Sequence, residues 1–92
     1  MKVKKLLKSA KILKSLGNVK RLEIVYHLQD GEKRVCELEK LMNISQSALS
    51  QHLAILRTAR IVVTRRSAQS IYYSLADAKC QEILMVLNEL YA

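Results

Sequence analysis

Four uncharged polar side chains lie close together in the chain: Gln46, Ser47, Ser50 and Gln51. Amides and hydroxyls of this kind hydrogen-bond to the edges of nucleic-acid bases, and glutamine can bond adenine in a bidentate manner. If the segment is helical, at about 100° per residue, Ser47 and Gln51 lie opposite Leu49, with Ser50 beside them. The spacing therefore predicts a helix face that reads bases in a major groove.

Basic side chains accompany this polar face. Arg57, Arg65 and Arg66 are suited to phosphates, and an arginine of a hairpin can also enter a minor groove. His52 lies on the flank of the same helix, where it either packs against the following hairpin or contacts a phosphate. A plain surface helix and a solvated turn would explain each piece alone. The turn, the helix, the hairpin and the positive charge nevertheless occur together in the order that DNA binding requires.

The charge balance favours a polyanionic partner. The 92 residues include 16 Lys and Arg against 8 Asp and Glu, which gives a net charge of +8. Such an excess is typical of proteins that bind nucleic acid or an anionic membrane surface. Half of the basic residues precede the first acidic residue, Glu23, whereas the segment 76–92 is mildly acidic.

The elements that position these side chains follow from caps and apolar spacing, because the chain has no proline and two glycines. The order predicts a mainly α fold with a small β-hairpin. The predicted elements are helices over about 4–15, 18–29, 34–42 and 45–57, strands over 61–65 and 70–75 joined by a turn at 66–69, and a helix over about 76–91. A helix-turn-helix over about 34–58 and a wing over about 61–75 then form one domain, 1–92.

Local sequence also predicts helix starts and buried faces. Asn18 and Ser45 are good N-caps, and Gly17 fits the end of the first helix. The residues predicted to face the core are Leu49, Leu53 and Leu56 in the fourth helix and Leu22, Val25, Tyr26 and Leu28 in the second.

Two segments resemble a known family. SQSALSQHLAILRTARIVVTRRSAQSIYYSL, residues 45–75, is similar to the recognition helix and wing of the ArsR/SmtB winged-helix repressors, nearest to the branch that contains HlyU, BigR and NolR. LGNVKRLEIV, residues 16–25, resembles the second helix of that family, with Val19 where proline is frequent. The resemblance implies a homodimer, built on the helices over 4–15 and 76–91, that binds an imperfect palindrome in a promoter. Such a dimer usually acts as a repressor, but some members of the branch are anti-repressors that activate by displacing another repressor, and the sequence does not choose between the two. A low-specificity protein that coats DNA through its charge alone is the alternative.

The sensor motifs of the resembled family are not matched. Some of its metal sensors carry paired thiolates in the segment that corresponds to residues 32–38, where this chain has Arg34 in place of the first thiolate. Others use histidines in the last helix, and the last helix of this chain contains no histidine. We therefore expect no metal and no cofactor. The branch with a redox pair has cysteines where this chain has Tyr26 and Ala92. Cys36 and Cys80 lie near predicted helix starts, which stabilise thiolates, so they are either redox-active or small core residues. The sequence leaves open whether the protein binds an effector of another kind.

Other classes of protein are disfavoured. No glycine-rich phosphate loop, nucleophile with a base or pair of carboxylates suggests an enzyme. Lysines interrupt the apolar runs at the N-terminus, so neither a signal peptide nor a membrane span is expected. Two cysteines are too few for a disulfide-rich secreted scaffold. We therefore expect a cytoplasmic protein without a membrane partner.

Overall fold

The computed structural model describes residues 1–91, which form five helices and three short strands. The elements are α1 (Val3–Leu16), α2 (Val19–Leu28), β1 (Lys33–Arg34), α3 (Val35–Met42), α4 (Gln46–Thr58), β2 (Val62–Ser67), β3 (Ser70–Leu75) and α5 (Lys79–Tyr91). The predicted mainly α fold with a hairpin between the fourth and last helices is confirmed. Ala92, which was compared with a family cysteine, lies outside the described residues.

The two predicted caps are present. The side chain of Asn18 accepts hydrogen bonds from the backbone N–H groups of Lys20 and Arg21. The hydroxyl of Ser45 accepts one from the backbone N–H of Ala48 at 3.2 Å. Between α3 and α4, Asn43 adopts a left-handed conformation with φ 50°, which asparagine tolerates better than most residues. The left-handed Asn43 ends α3, and the Ser45 cap starts α4.

The core is centred on the inner face of α4. Leu49, Leu53 and Leu56 are buried as predicted, and they pack in one cluster with residues from α2, α3 and β2. The prediction that Tyr26 faces inward is wrong, since 63% of its surface is exposed. Ile24 is fully buried instead. Apolar residues occur on most sides of α2, so their spacing alone does not show which side of the helix is buried.

The first strand of the wing runs further than predicted, and the sheet has a third strand. β2 and β3 pair antiparallel from Val62 opposite Leu75 to Ser67 opposite Ser70. The predicted turn at 66–69 is therefore wrong, because Arg66 lies within β2 and only residues 68–69 connect the strands. β1 adds an unpredicted third strand beside β3. A strand of two residues is too short to show an alternating pattern.

The last helix starts later than the predicted position 76. α5 begins at Lys79, whose backbone N–H donates to the carboxylate of Asp77 at 2.9 Å. This contact is typical of a short acidic residue at a helix start, where it competes with continued helix on the N-terminal side.

Candidate nucleic-acid interface

The outer face of α4 presents the four predicted reading residues together. Gln46, Ser47, Ser50 and Gln51 are all exposed, and within residues 1–91 none of their side chains hydrogen-bonds to another group of the protein. Their position follows from the burial of Leu49, since the helix must turn its opposite side to solvent. The donors and acceptors on this face are therefore available to an external partner.

Charge is distributed unevenly along α4. From 46 to 56 the segment contains no Asp, Glu, Lys or Arg. Arg57 follows in the last turn of α4, where its side chain is exposed. A helix with a neutral polar face and a positive end can approach phosphates with its end while its side chains meet base edges.

His52 contacts α2, a neighbour that the sequence did not indicate. Its Nδ1 lies 3.2 Å from an Nη atom of Arg21, and Nε of Arg21 donates to the backbone oxygen of Ser15 at 2.5 Å. Because arginine only donates, Nδ1 of His52 accepts and the ring proton resides on Nε2. Burial lowers the pKa of His52, and the charges of Arg21 and Lys20 lower it further. Arg21, on α2, thus connects the end of α1 to α4.

The two wing arginines differ in their surroundings. Arg65 donates two hydrogen bonds to the carboxylate of Glu32, and its guanidinium lies 4.7 Å from the ring centroid of Tyr72. These hydrogen bonds hold the pKa of Glu32 below its usual value. Arg66 is exposed and makes no side-chain ion pair within the described part of the chain. Sequence reasoning missed Glu32 because it lies 33 positions from Arg65.

The cysteines lie in unlike places. Cys36 is exposed in the first turn of α3, whereas Cys80 is buried in the first turn of α5. The expectation that the helix start stabilises the thiolate is wrong for Cys80, because burial and then the charge of Asp77 raise the pKa of its thiol. Among residues 1–91 no group of three or more His, Cys, Asp or Glu is placed to hold a metal ion.

Apolar side chains remain exposed on the first and last helices. On α1, Leu6, Leu7 and Leu13 expose more than half of their surface, and on α5 the same holds for Val86 and Leu90. A cleft of about 720 Å³ between α2 and α5 extends this apolar surface. Single exposed apolar residues are ordinary, but a set of this size on two helices is typical of an interaction surface. No helix among the described residues is long and apolar enough to span a membrane.

A short helix, a tight turn, a second helix with an exposed polar face and an adjoining basic hairpin together define a winged helix-turn-helix DNA-binding protein. Residues 18–64 match the profile of the family described as "Bacterial regulatory protein, arsR family". The chain belongs to this family, as its resemblance to ArsR/SmtB proteins implied. It is a DNA-binding transcriptional regulator and not an enzyme.

Individual relatives agree with this assignment. The transcriptional activator HlyU of Vibrio cholerae is 42% identical over 84 residues, which are 91% of this chain and 78% of that protein. The nodulation protein NolR of Rhizobium meliloti is 43% identical over 83 residues, 90% of this chain and 68% of its own. The solved structure of the repressor BigR from Xylella fastidiosa is 36% identical, covers 100% of this chain and 98% of its own, and superposes with a TM-score of 0.87.

Proposed function

We propose that this regulator binds an imperfect palindrome in a promoter as a homodimer and represses transcription there. The observation that carries the proposal is the exposed, uncharged face of α4 from Gln46 to Gln51, next to a basic wing. Uncharged hydrogen-bonding groups on a protruding helix can distinguish base pairs, whereas phosphate-binding cations cannot.

In the proposed complex, α4 lies in the major groove. Gln46 and Gln51 bond base edges, and the hydroxyls of Ser47 and Ser50 bond bases or phosphates. Arg57 and the wing arginines neutralise phosphates on either side. His52, whose Nδ1 is occupied by Arg21, retains an Nε2–H that can donate to a phosphate.

The exposed apolar faces of α1 and α5 support the homodimer. A second copy is the partner that we propose for these faces, since a twofold axis buries the same surface on both chains and places two α4 helices on one side of the assembly. Two reading helices related by a twofold axis require a palindromic site with half-sites about one helical turn of DNA apart. In this dimer, the lysines of α1 lie near the DNA that flanks the palindrome. The proposed location of the regulator is the cytoplasm.

Repression is favoured by the names of several relatives. BigR of Xylella fastidiosa is described as a transcriptional repressor, and a Bacillus subtilis relative that is 39% identical over 72 residues is the arsenical resistance operon repressor. A dimer on a promoter represses by competing with the polymerase. HlyU of Vibrio cholerae is described as an activator, so activation is the second candidate.

Selection of bound duplexes from a random pool tests the proposal. A palindromic consensus would support both sequence reading and twofold symmetry. A specific regulator should prefer that consensus over scrambled DNA by at least about 10³ at physiological salt. A pool that stays random after selection would contradict the proposal and favour the DNA-coating alternative. In vitro transcription from a promoter that contains the consensus then separates repression from activation.

A further inference from the structure

Glu32, which directly precedes β1, reaches across the wing to Arg65 on β2. Nε of Arg65 donates to one carboxylate oxygen at 3.0 Å, and Nη2 donates to the other. β3 lies between β1 and β2 in the sheet, and Tyr72 on β3 provides the ring beneath the guanidinium. The strand register places Arg65 directly opposite Tyr72, on the face of the sheet turned away from the core. The carboxylate thus holds the arginine against the outer face of the wing.

The pair occupies the N–H groups that a DNA phosphate would use. Arginine binds carboxylates and phosphates through the same planar fork of donors, with two parallel hydrogen bonds. In the free protein, Glu32 takes the Nε and Nη2 donors of Arg65. Arg66 is the adjacent residue, but it lies on the opposite face of β2 and has no such partner within the described residues. The two neighbouring arginines are therefore unequal in their readiness for DNA.

We propose that Glu32 determines specificity by substituting for a phosphate, which keeps Arg65 out of contact with non-operator DNA. The inference rests on the DNA-binding surface proposed above. Non-specific affinity comes from cations that displace counterions from phosphates. An arginine that is already paired displaces none, and the carboxylate adds repulsion. On the operator, the bases bonded to α4 hold the DNA backbone in a fixed position beside the wing. The exposed Glu32–Arg65 ion pair is weak enough for a phosphate of that backbone to replace the Glu32 carboxylate.

The variant Glu32→Gln tests this role, because glutamine keeps the size of the side chain and removes its charge. The measurement is the affinity for a scrambled duplex at several salt concentrations. Release of Arg65 should steepen the slope of log K against log salt by about 0.9 for each chain on the DNA. At fixed salt the affinity for scrambled DNA should rise roughly fivefold. This is the factor expected when two unit charges, here the guanidinium and a phosphate, attract each other at about 4 Å in water. The preference for the operator should fall accordingly.

Two control variants separate release of Arg65 from a general gain of positive charge. Glu39→Gln changes the net charge equally, but within residues 1–91 Glu39 forms no ion pair, so the slope should stay that of the wild type. In an Arg65→Gln background, Glu32→Gln should leave the slope unchanged. A steeper slope that persists without Arg65 would overturn the proposal. An unchanged slope in the single variant would overturn it as well.

The experiment distinguishes failure of this inference from failure of the proposed function. The slope on scrambled DNA needs no operator and depends only on phosphate contacts. If the random-pool selection yields no consensus, the palindrome proposal fails, whereas the slope still tests whether Arg65 is withheld. If a consensus emerges and the slope does not change, the inference about Glu32 alone is wrong. Circular dichroism of each variant verifies that the helices are retained.

Discussion

Arg21 joins three helices through two hydrogen bonds, and its replacement by leucine should therefore lower the free energy of unfolding. The change removes the donor to the Ser15 backbone oxygen and the donor to Nδ1 of His52. Both bonds are partly buried, and loss of a partner at such a site costs about 1–3 kcal/mol in total. Leucine keeps most of the apolar contact of the arginine stem, so the loss reports mainly the two bonds.

The same variant should change the dependence of stability on pH. In the folded chain the pKa of His52 lies below its ordinary value of 6.5, so the unfolded chain takes up the proton first as the pH falls. The contribution of His52 to the free energy of unfolding is therefore fully present above pH 6.5. It declines as the pH falls below 6.5 and levels off once the pH is below the lowered pKa of the folded chain. Removing the Arg21 charge raises the pKa of His52 towards its ordinary value. The free energy of unfolding should therefore fall less on acidification in the variant than in the wild type.

Urea denaturation of wild type and variants at equal chain concentration measures both effects, since the proposed dimer would make stability depend on concentration. His52→Gln keeps a hydrogen-bond acceptor without a titrating ring, and should remove the contribution of residue 52 to the pH dependence. Arg57→Leu is the matched control, because Arg57 is exposed, and should change stability by less than about 0.5 kcal/mol. A destabilisation by Arg21→Leu no larger than that of this control, or an unchanged pH profile, would refute the reasoning.

Four further predictions concern DNA binding, assembly and reactivity. Gln51→Ala should reduce discrimination between operator and scrambled DNA by about 1–3 kcal/mol for each half-site while weak, salt-sensitive binding persists; an unchanged preference in competition assays would exclude this residue from base reading. Arg66→Gln should make the salt slope shallower by about 0.9 per chain, and an equal slope would remove it from the phosphate contacts. Leu90→Glu should yield monomers in analytical ultracentrifugation, whereas a persistent dimer would place the interface elsewhere. A thiol reagent should label Cys36 rapidly and Cys80 only on unfolding; equal rates in the native state would contradict their different burial.

The sequence predicted the helices because the signals for them are local. Caps such as Asn18 and Ser45 act within three residues, and the spacing of Leu49, Leu53 and Leu56 fixes which side of α4 faces the core. Once that side was fixed, the polar reading face had to lie opposite. The fold class, and the exposure on one face of the four residues predicted to read bases, could therefore be predicted without any long-range information.

Tertiary structure decided the pairings between distant residues. The Arg21–His52 contact spans 31 positions and the Glu32–Arg65 contact spans 33, and no periodicity in the sequence links the members of either pair. The choice of Ile24 over Tyr26 as the buried residue of α2 likewise depended on which neighbours pack against that helix. The sequence by itself predicted an exposed, uncharged polar face on α4 beside a basic wing. Which arginine is free and which histidine nitrogen carries the proton depend on chain segments that only folding brings together.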